Sequence, residues 1–85
     1  MPYIKPEERK DLDFVVNETG ARVETEGQLN YVISRICSKF AERKGISYAC
    51  LNAIVGVLEC AKQEFYRRVV ADYEEEKIEQ NGDIY

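Results

Sequence analysis

The stretch from Leu51 to Val70 reads LNAIVGVLECAKQEFYRRVV, and its spacing decides the fold. Large apolar side chains recur there at steps of three and four residues, which places them along one stripe of a helix. That stripe is made of Leu51, Ile54, Val55, Leu58, Ala61, Phe65 and Val69. The pattern predicts a central helix whose apolar stripe belongs to a core.

A second stripe on this helix consists of small residues, which let a neighbouring backbone approach closely. It is made of Ala49, Ala53, Gly56 and Cys60. A helix that is apolar nearly all round, as this one is from Ala53 to Leu58, is typical of burial in a core or an oligomer. Two interpretations stay open: the small residues form an interface, or the helix packs on one side and tolerates its alanines. The first predicts a homodimer, the commonest closed oligomer, with another protein partner as a further option.

The segment before the central helix predicts a second helix and a sharp turn. Thr25 followed by Gln28 has the pattern of a capping box, which begins a helix. Gly45 supplies the residue type that ends one. The short link through Ser47 then favours an antiparallel hairpin of helices at about 25–44 and 48–70. The chain of 85 residues is expected to form a single helical domain, 1–85, of the all-α class.

A short satellite helix is expected at each end of this hairpin. At the N-terminal side, Pro6 suits a first helical turn, and the helix is expected to end before Gly20. Towards the C-terminal side, Asp72 followed by Glu75 resembles a new capping box. This signal favours a break of the central helix near 69–72, followed by a last helix at 73–80. A continuous helix stays the alternative.

Charge is distributed unevenly along the chain, whose net charge is -4. From Asp72 onwards there are six acidic residues against one lysine. The acidic balance argues against nucleic-acid binding, which usually shows a basic excess or a basic face. Arg35, Lys39 and Arg43 do follow one another by four residues. With Glu42 beside them, they predict a solvated, locally neutralised face rather than a nucleic-acid site.

No residue is assigned a catalytic, cofactor-binding or metal-binding role. The chain contains no histidine, which excludes Ser-His-Asp and Cys-His arrangements. Cys37, Cys50 and Cys60 form no CxxC pattern and, being odd in number, no disulfide framework. Free cysteines of this kind predict a reducing, cytoplasmic setting. There is no glycine-rich phosphate loop, no apolar signal segment and no uncharged run long enough to span a membrane.

The remaining enzymatic route uses carboxylates and magnesium, as in the all-α nucleotide pyrophosphohydrolases. Glu79 follows Glu75 by four residues and Glu76 by three, so that either pair could face one Mg²⁺. Those enzymes place a second acidic pair on a facing helix. Glu59 and Glu64, five residues apart, do not supply it. This hydrolase therefore stays the alternative to a self-associating interaction module without catalytic activity.

Five polar or aromatic residues outline a candidate ligand pocket. They are Asn30, Tyr31, Asn52, Glu59 and Tyr66. The last three step by seven residues along one flank of the central helix, beside its apolar stripe. Buried polar groups need hydrogen-bond partners, so a buried flank would favour a ligand or a second subunit. The competing interpretation is that these side chains line the edge of the core and contact water.

Four segments carry a resemblance to a known family. They read MPYIKPEER, GQLNYVISRI, GVLECAKQEFYRRVV and YEEEKIEQNGDIY. Together they resemble a family of small uncharacterised proteins, a domain of unknown function, met in phage, bacterial and archaeal genomes. The resemblance implies no activity and no functional residue. Relatives in that family tend to have a proline near the position of Ala71, which implies a helix break there, but this chain lacks that proline.

Overall fold

The computed structural model describes residues 4–85, and these residues are helical almost throughout. Helix α1 covers Pro6–Arg22, α2 covers Glu26–Lys44 and α3 covers Tyr48–Phe65. A π-helical segment, Tyr66–Val70, then leads into α4, Ala71–Asn81. No strand occurs within residues 4–85. The all-α class predicted from the sequence is therefore confirmed.

The chain divides into two compact units, one ending at Gly45 and one beginning at Ile46. The first unit holds α1 and α2, and the second holds α3, the π segment and α4. The predicted hairpin of 25–44 and 48–70 pairs helices from different units. That hairpin stays a prediction, as does the single domain 1–85.

Helix α1 is longer than the sequence predicts. It begins at Pro6 with two glutamates in its first turn, where acidic side chains favour the helix dipole. It does not end before Gly20 but continues to Arg22, so the predicted end is wrong. A glycine inside a helix costs about 1 kcal/mol. An ion pair of 3.3 Å between Arg22 and Glu18, one turn apart, partly offsets that cost.

Helix α2 begins and ends as predicted. The hydroxyl of Thr25 accepts a hydrogen bond of 3.1 Å from the backbone N–H of Gln28. The side-chain oxygen of Gln28 accepts in return from the backbone N–H of Thr25 at 3.2 Å, which completes the capping box. At the other end, Gly45 has a φ of 98° and donates its N–H to the carbonyl of Ala41 at 2.9 Å. Both ends are thus fixed by local hydrogen bonds.

Apolar side chains of α1 and α2 gather in the first unit without being enclosed. They line one cleft, formed by Val15, Val16, Thr19, Gly20, Val23, Leu29, Val32 and Ile36. Within residues 4–85, Ala41 is the only buried residue, with 5% of its surface exposed. The described part of the chain therefore leaves most of its large apolar side chains accessible.

The second unit is built on one continuous helix, residues 48–81, about 50 Å long. Ser47 caps it, because its hydroxyl accepts from the backbone N–H of Cys50 at 3.1 Å. The predicted break near 69–72 is wrong. Val70 and Ala71 both have α-helical backbone angles, and the backbone N–H of Ala71 donates to the carbonyl of Tyr66, five residues earlier.

The continuity of this helix has a physical reason. The capping box predicted at Asp72 requires an extended residue there, whereas Asp72 lies inside α4. Valines such as Val69 and Val70 lower helix propensity by only a few tenths of a kcal/mol each. Ala71 keeps the N–H that a proline would lack. Within residues 4–85, no helix has the length and apolar character that crossing a membrane requires.

Candidate interaction surfaces

The small-residue face predicted from the sequence lies on α3. It consists of Ala49, Ala53, Gly56 and Cys60, and all four are exposed. Gly56 has no special backbone conformation, and a Cβ placed on it would meet no atom within 4 Å. The space next to Gly56 is therefore not occupied by other described residues of the chain. Its role as a subunit interface stays a prediction.

Other sides of α3 also expose large apolar side chains. Val55 has 62% of its surface exposed and Val57 has 67%. The sequence from Tyr48 to Leu58 contains no charged residue. Side chains on a helix point outwards, so a helix cannot enclose its own apolar surface. The apolar surface of α3 can therefore be buried only by another element or another chain, and on more than one side of the helix.

The residues of the predicted polar pocket are all exposed. Asn30 and Tyr31 lie on α2 in the first unit, whereas Asn52, Glu59 and Tyr66 lie on the helix of the second unit. The pocket stays a prediction. On α2, the side-chain oxygen of Asn30 accepts from the hydroxyl of Ser34, one turn later, at 3.4 Å.

Glu59 is satisfied by its own helix. It accepts a hydrogen bond of 3.0 Å from the side-chain amide of Gln63 and forms an ion pair of 3.3 Å with Lys62. These partners, first Gln63 and then Lys62, hold the pKa of Glu59 below its ordinary value because they favour the charged carboxylate. The arrangement is that of a solvated carboxylate, in line with the water-contacting interpretation.

A contact that the sequence did not predict crosses the π segment. The phenol of Tyr66 donates a hydrogen bond of 2.7 Å to a carboxylate oxygen of Glu74, eight residues later. This bond raises the pKa of Tyr66, and the negative charge of Glu74 acts in the same direction. The bond links the first residue of the π segment to α4.

The π segment explains how two residues eight apart can meet. In a regular α-helix, eight steps of about 100° leave side chains about 80° apart around the axis. A π segment accommodates one extra residue. Tyr66 and Glu74 therefore take positions close to those of residues seven apart, about 20° from each other. Sequence spacing alone could not find this pair because it assumes a regular helix.

Helix α2 carries an exposed groove that is both basic and apolar. It is lined by Arg35, Ile36, Lys39, Phe40, Glu42 and Arg43. The guanidinium of Arg43 lies 5.9 Å from the centre of the Phe40 ring, a cation–π distance. Glu42 lies in the groove as the solvated-face interpretation expects, but within residues 4–85 Lys39 and Glu42 form no ion pair. Within residues 4–85, the basic side chains of this groove are thus not held in ion pairs.

Metal-binding geometry is not found in the described residues. Within residues 4–85, no three His, Cys, Asp or Glu side chains are grouped so that they could hold an ion. Glu75, Glu76 and Glu79, the acids of the magnesium-dependent alternative, all lie on α4. Cys37, Cys50 and Cys60 are free.

Comparison with known proteins gives a family but no activity. A family model described as Domain of unknown function (DUF6899) matches residues 1–84. No curated protein and no solved structure matches the chain.

Proposed function

The chain belongs to the family Domain of unknown function (DUF6899), a description that supplies no activity, and we propose from its surfaces that it is a helical interaction module. In this proposal it self-associates as a homodimer and has no catalytic activity of its own. The observation that best supports self-association is in the second unit, where one continuous helix exposes apolar side chains on several sides.

An isolated helix gains little stability in water unless a partner covers its apolar face. The exposed residues Val55 and Val57 and the small-residue face lie on different sides of α3. Other parts of the same chain could cover one side. A second copy is the simplest cover for the other, because a two-fold symmetric contact needs only one self-complementary surface.

We place the protein in the cytoplasm, because its three cysteines are free and a reducing compartment keeps them so. We propose that relatives of this chain occur in phage, bacterial and archaeal genomes, as the family resemblance implies. We also propose that each protomer is one domain with an antiparallel hairpin of helices at about 25–44 and 48–70.

Light scattering coupled to size-exclusion chromatography, from low to high micromolar protein, tests self-association. The protein is expected to elute with twice the 9.8 kDa mass of one chain. Ala53→Glu places a charge on the small-residue face and should give a monomer. Asn52→Glu places the same charge on the neighbouring polar flank and should leave the dimer intact. A wild-type protein that stays monomeric throughout would refute the proposal.

The magnesium-dependent hydrolase is tested with the same preparation. Mg²⁺ and Mn²⁺ are added with nucleoside triphosphates, and both the thermal transition and phosphate release are followed. Turnover that Glu76→Gln abolishes and Glu7→Gln leaves unchanged would establish that alternative. The interaction module predicts no turnover with either metal ion.

A further inference from the structure

The basic row on α2 consists of Arg35, Lys39 and Arg43. Steps of four residues keep these side chains on one side of the helix over about 12 Å. Ile36 and Phe40, both exposed, line the same groove and give the row an apolar border. Within residues 4–85, none of the three cations forms an ion pair. The row is therefore available to an acidic partner with an apolar edge.

Such a surface is present on α4. The acidic row consists of Asp72, Glu75 and Glu79, at steps of three and four residues over about 10 Å. Ile78 lies beside it and is partly exposed. Lys77 does not neutralise the row, because its ammonium lies over the Tyr73 ring at 5.4 Å and donates to Gln80 at 3.3 Å. The two rows thus match in length, carry opposite charge and have apolar neighbours.

Each chain carries one basic row and one acidic row. Two copies related by a two-fold axis can therefore pair both rows of each chain.

The acidic row also lines up with the small-residue face. Gly56 and Glu75 are 19 residues apart, which in a regular helix would place them about 100° apart around the axis. The extra residue of the π segment makes the rotation equal to that of 18 residues, which returns Glu75 to the side of Gly56. The two features lie on the same side of the helix, about 28 Å apart along its axis, so a partner that follows this side for that length contacts both.

We infer that the basic row of α2 is the docking surface for the acidic row of α4 from a second copy. This inference rests on the proposed self-association and specifies which surfaces meet. In a two-fold symmetric dimer each α2 contacts the partner's α4, so the contact occurs twice. Opposite charges then fix the register, and the apolar side chains that border the two rows are covered by the same contact.

Charge reversal tests the pairing. Variant one, Lys39→Glu with Arg43→Glu, makes the α2 row acidic, and variant two, Glu75→Lys with Glu79→Lys, makes the α4 row basic. Each variant alone should weaken homodimerisation at least about tenfold in sedimentation equilibrium. An equimolar mixture should form a heterodimer of about wild-type affinity, because both of its contacts again join opposite charges. All four substitutions in one chain should restore the homodimer.

A control variant, Arg9→Glu with Lys10→Glu, changes the net charge by the same amount as variant one, but on α1. It should dimerise like the wild type. Circular dichroism verifies the helix content of every variant. If the wild type dimerises and the mixture of reversed variants does not recover, the docking surface is refuted and self-association stands. If the wild type is monomeric, self-association is refuted, and the docking surface with it. If variant one dimerises normally but loses binding to labelled DNA, the basic row is a nucleic-acid site and the inference is overturned.

Discussion

Gly56→Ala separates the stability of one chain from its association. Gly56 has an ordinary helical backbone, and its added Cβ would meet no atom within 4 Å. Alanine favours a helix interior over glycine by about 0.8–1 kcal/mol. In the isolated chain the substitution should therefore raise the free energy of unfolding by about 1 kcal/mol.

Association should change in the opposite direction. If the small-residue face meets a second copy, each added methyl group enters a closely packed contact, and overpacking typically costs about 1–3 kcal/mol. A two-fold dimer carries the substitution in both subunits. The dissociation constant should then rise by at least about tenfold, since 1.4 kcal/mol corresponds to a factor of ten.

The assay combines urea unfolding of dilute protein with sedimentation equilibrium at higher concentration. Gly20→Ala is the matched control, because Gly20 is also helical and a Cβ on it would also meet no atom within 4 Å. The control should gain stability without changing the dissociation constant. If Gly56→Ala gains about 1 kcal/mol and dimerises as tightly as the wild type, the reasoning about this face is refuted.

Three further substitutions test local features. Thr25→Ala removes the side-chain half of the capping box and should lower the free energy of unfolding by about 1 kcal/mol in urea titrations, whereas Thr19→Ala should change it little. Gly45→Ala places a Cβ at a φ of 98° and should cost about 1–3 kcal/mol in the same assay; an unchanged midpoint would contradict the observed backbone. Glu74→Gln should lower the raised pKa of Tyr66 in an ultraviolet difference titration. Because the pKa of Tyr66 is raised in the folded protein, its contact with Glu74 stabilises the fold below the ordinary tyrosine pKa of about 10. That stabilisation is lost as the pH rises through the folded pKa. The variant should therefore lose less stability above pH 10 than the wild type does.

The ends of α2 could be predicted because their causes are local. A capping box needs only Thr25 and Gln28, and a left-handed end needs only Gly45. The same local reasoning failed at Gly20 and at Asp72. In each case a residue that often marks a helix boundary lies within a helix, because the cost is about 1 kcal/mol or less and the backbone hydrogen bonds continue on both sides.

The candidate interaction surfaces could be only partly predicted. The sequence identified Ala53 and Gly56 as members of a small-residue face, because helical periodicity groups them. The spacing also predicted that Glu42, near Lys39 in sequence, neutralises the basic residues of α2. In the described part of the chain the two side chains form no ion pair. Sequence proximity on a helix permits an ion pair but does not require one, because exposed pairs gain little free energy.

The π segment connects these observations. A π turn is rare, because it replaces the usual hydrogen bonds between residues four apart with weaker geometry. Here the hydrogen bond between Tyr66 and Glu74 spans it and offsets part of that cost. The extra residue also rotates α4 by about 100°, which places the acidic row on the side of Gly56. Without it, the acidic row would lie about 100° away from the small-residue face around the helix axis. The break predicted near 69–72 does not occur, but the helix changes phase in the preceding segment, Tyr66–Val70.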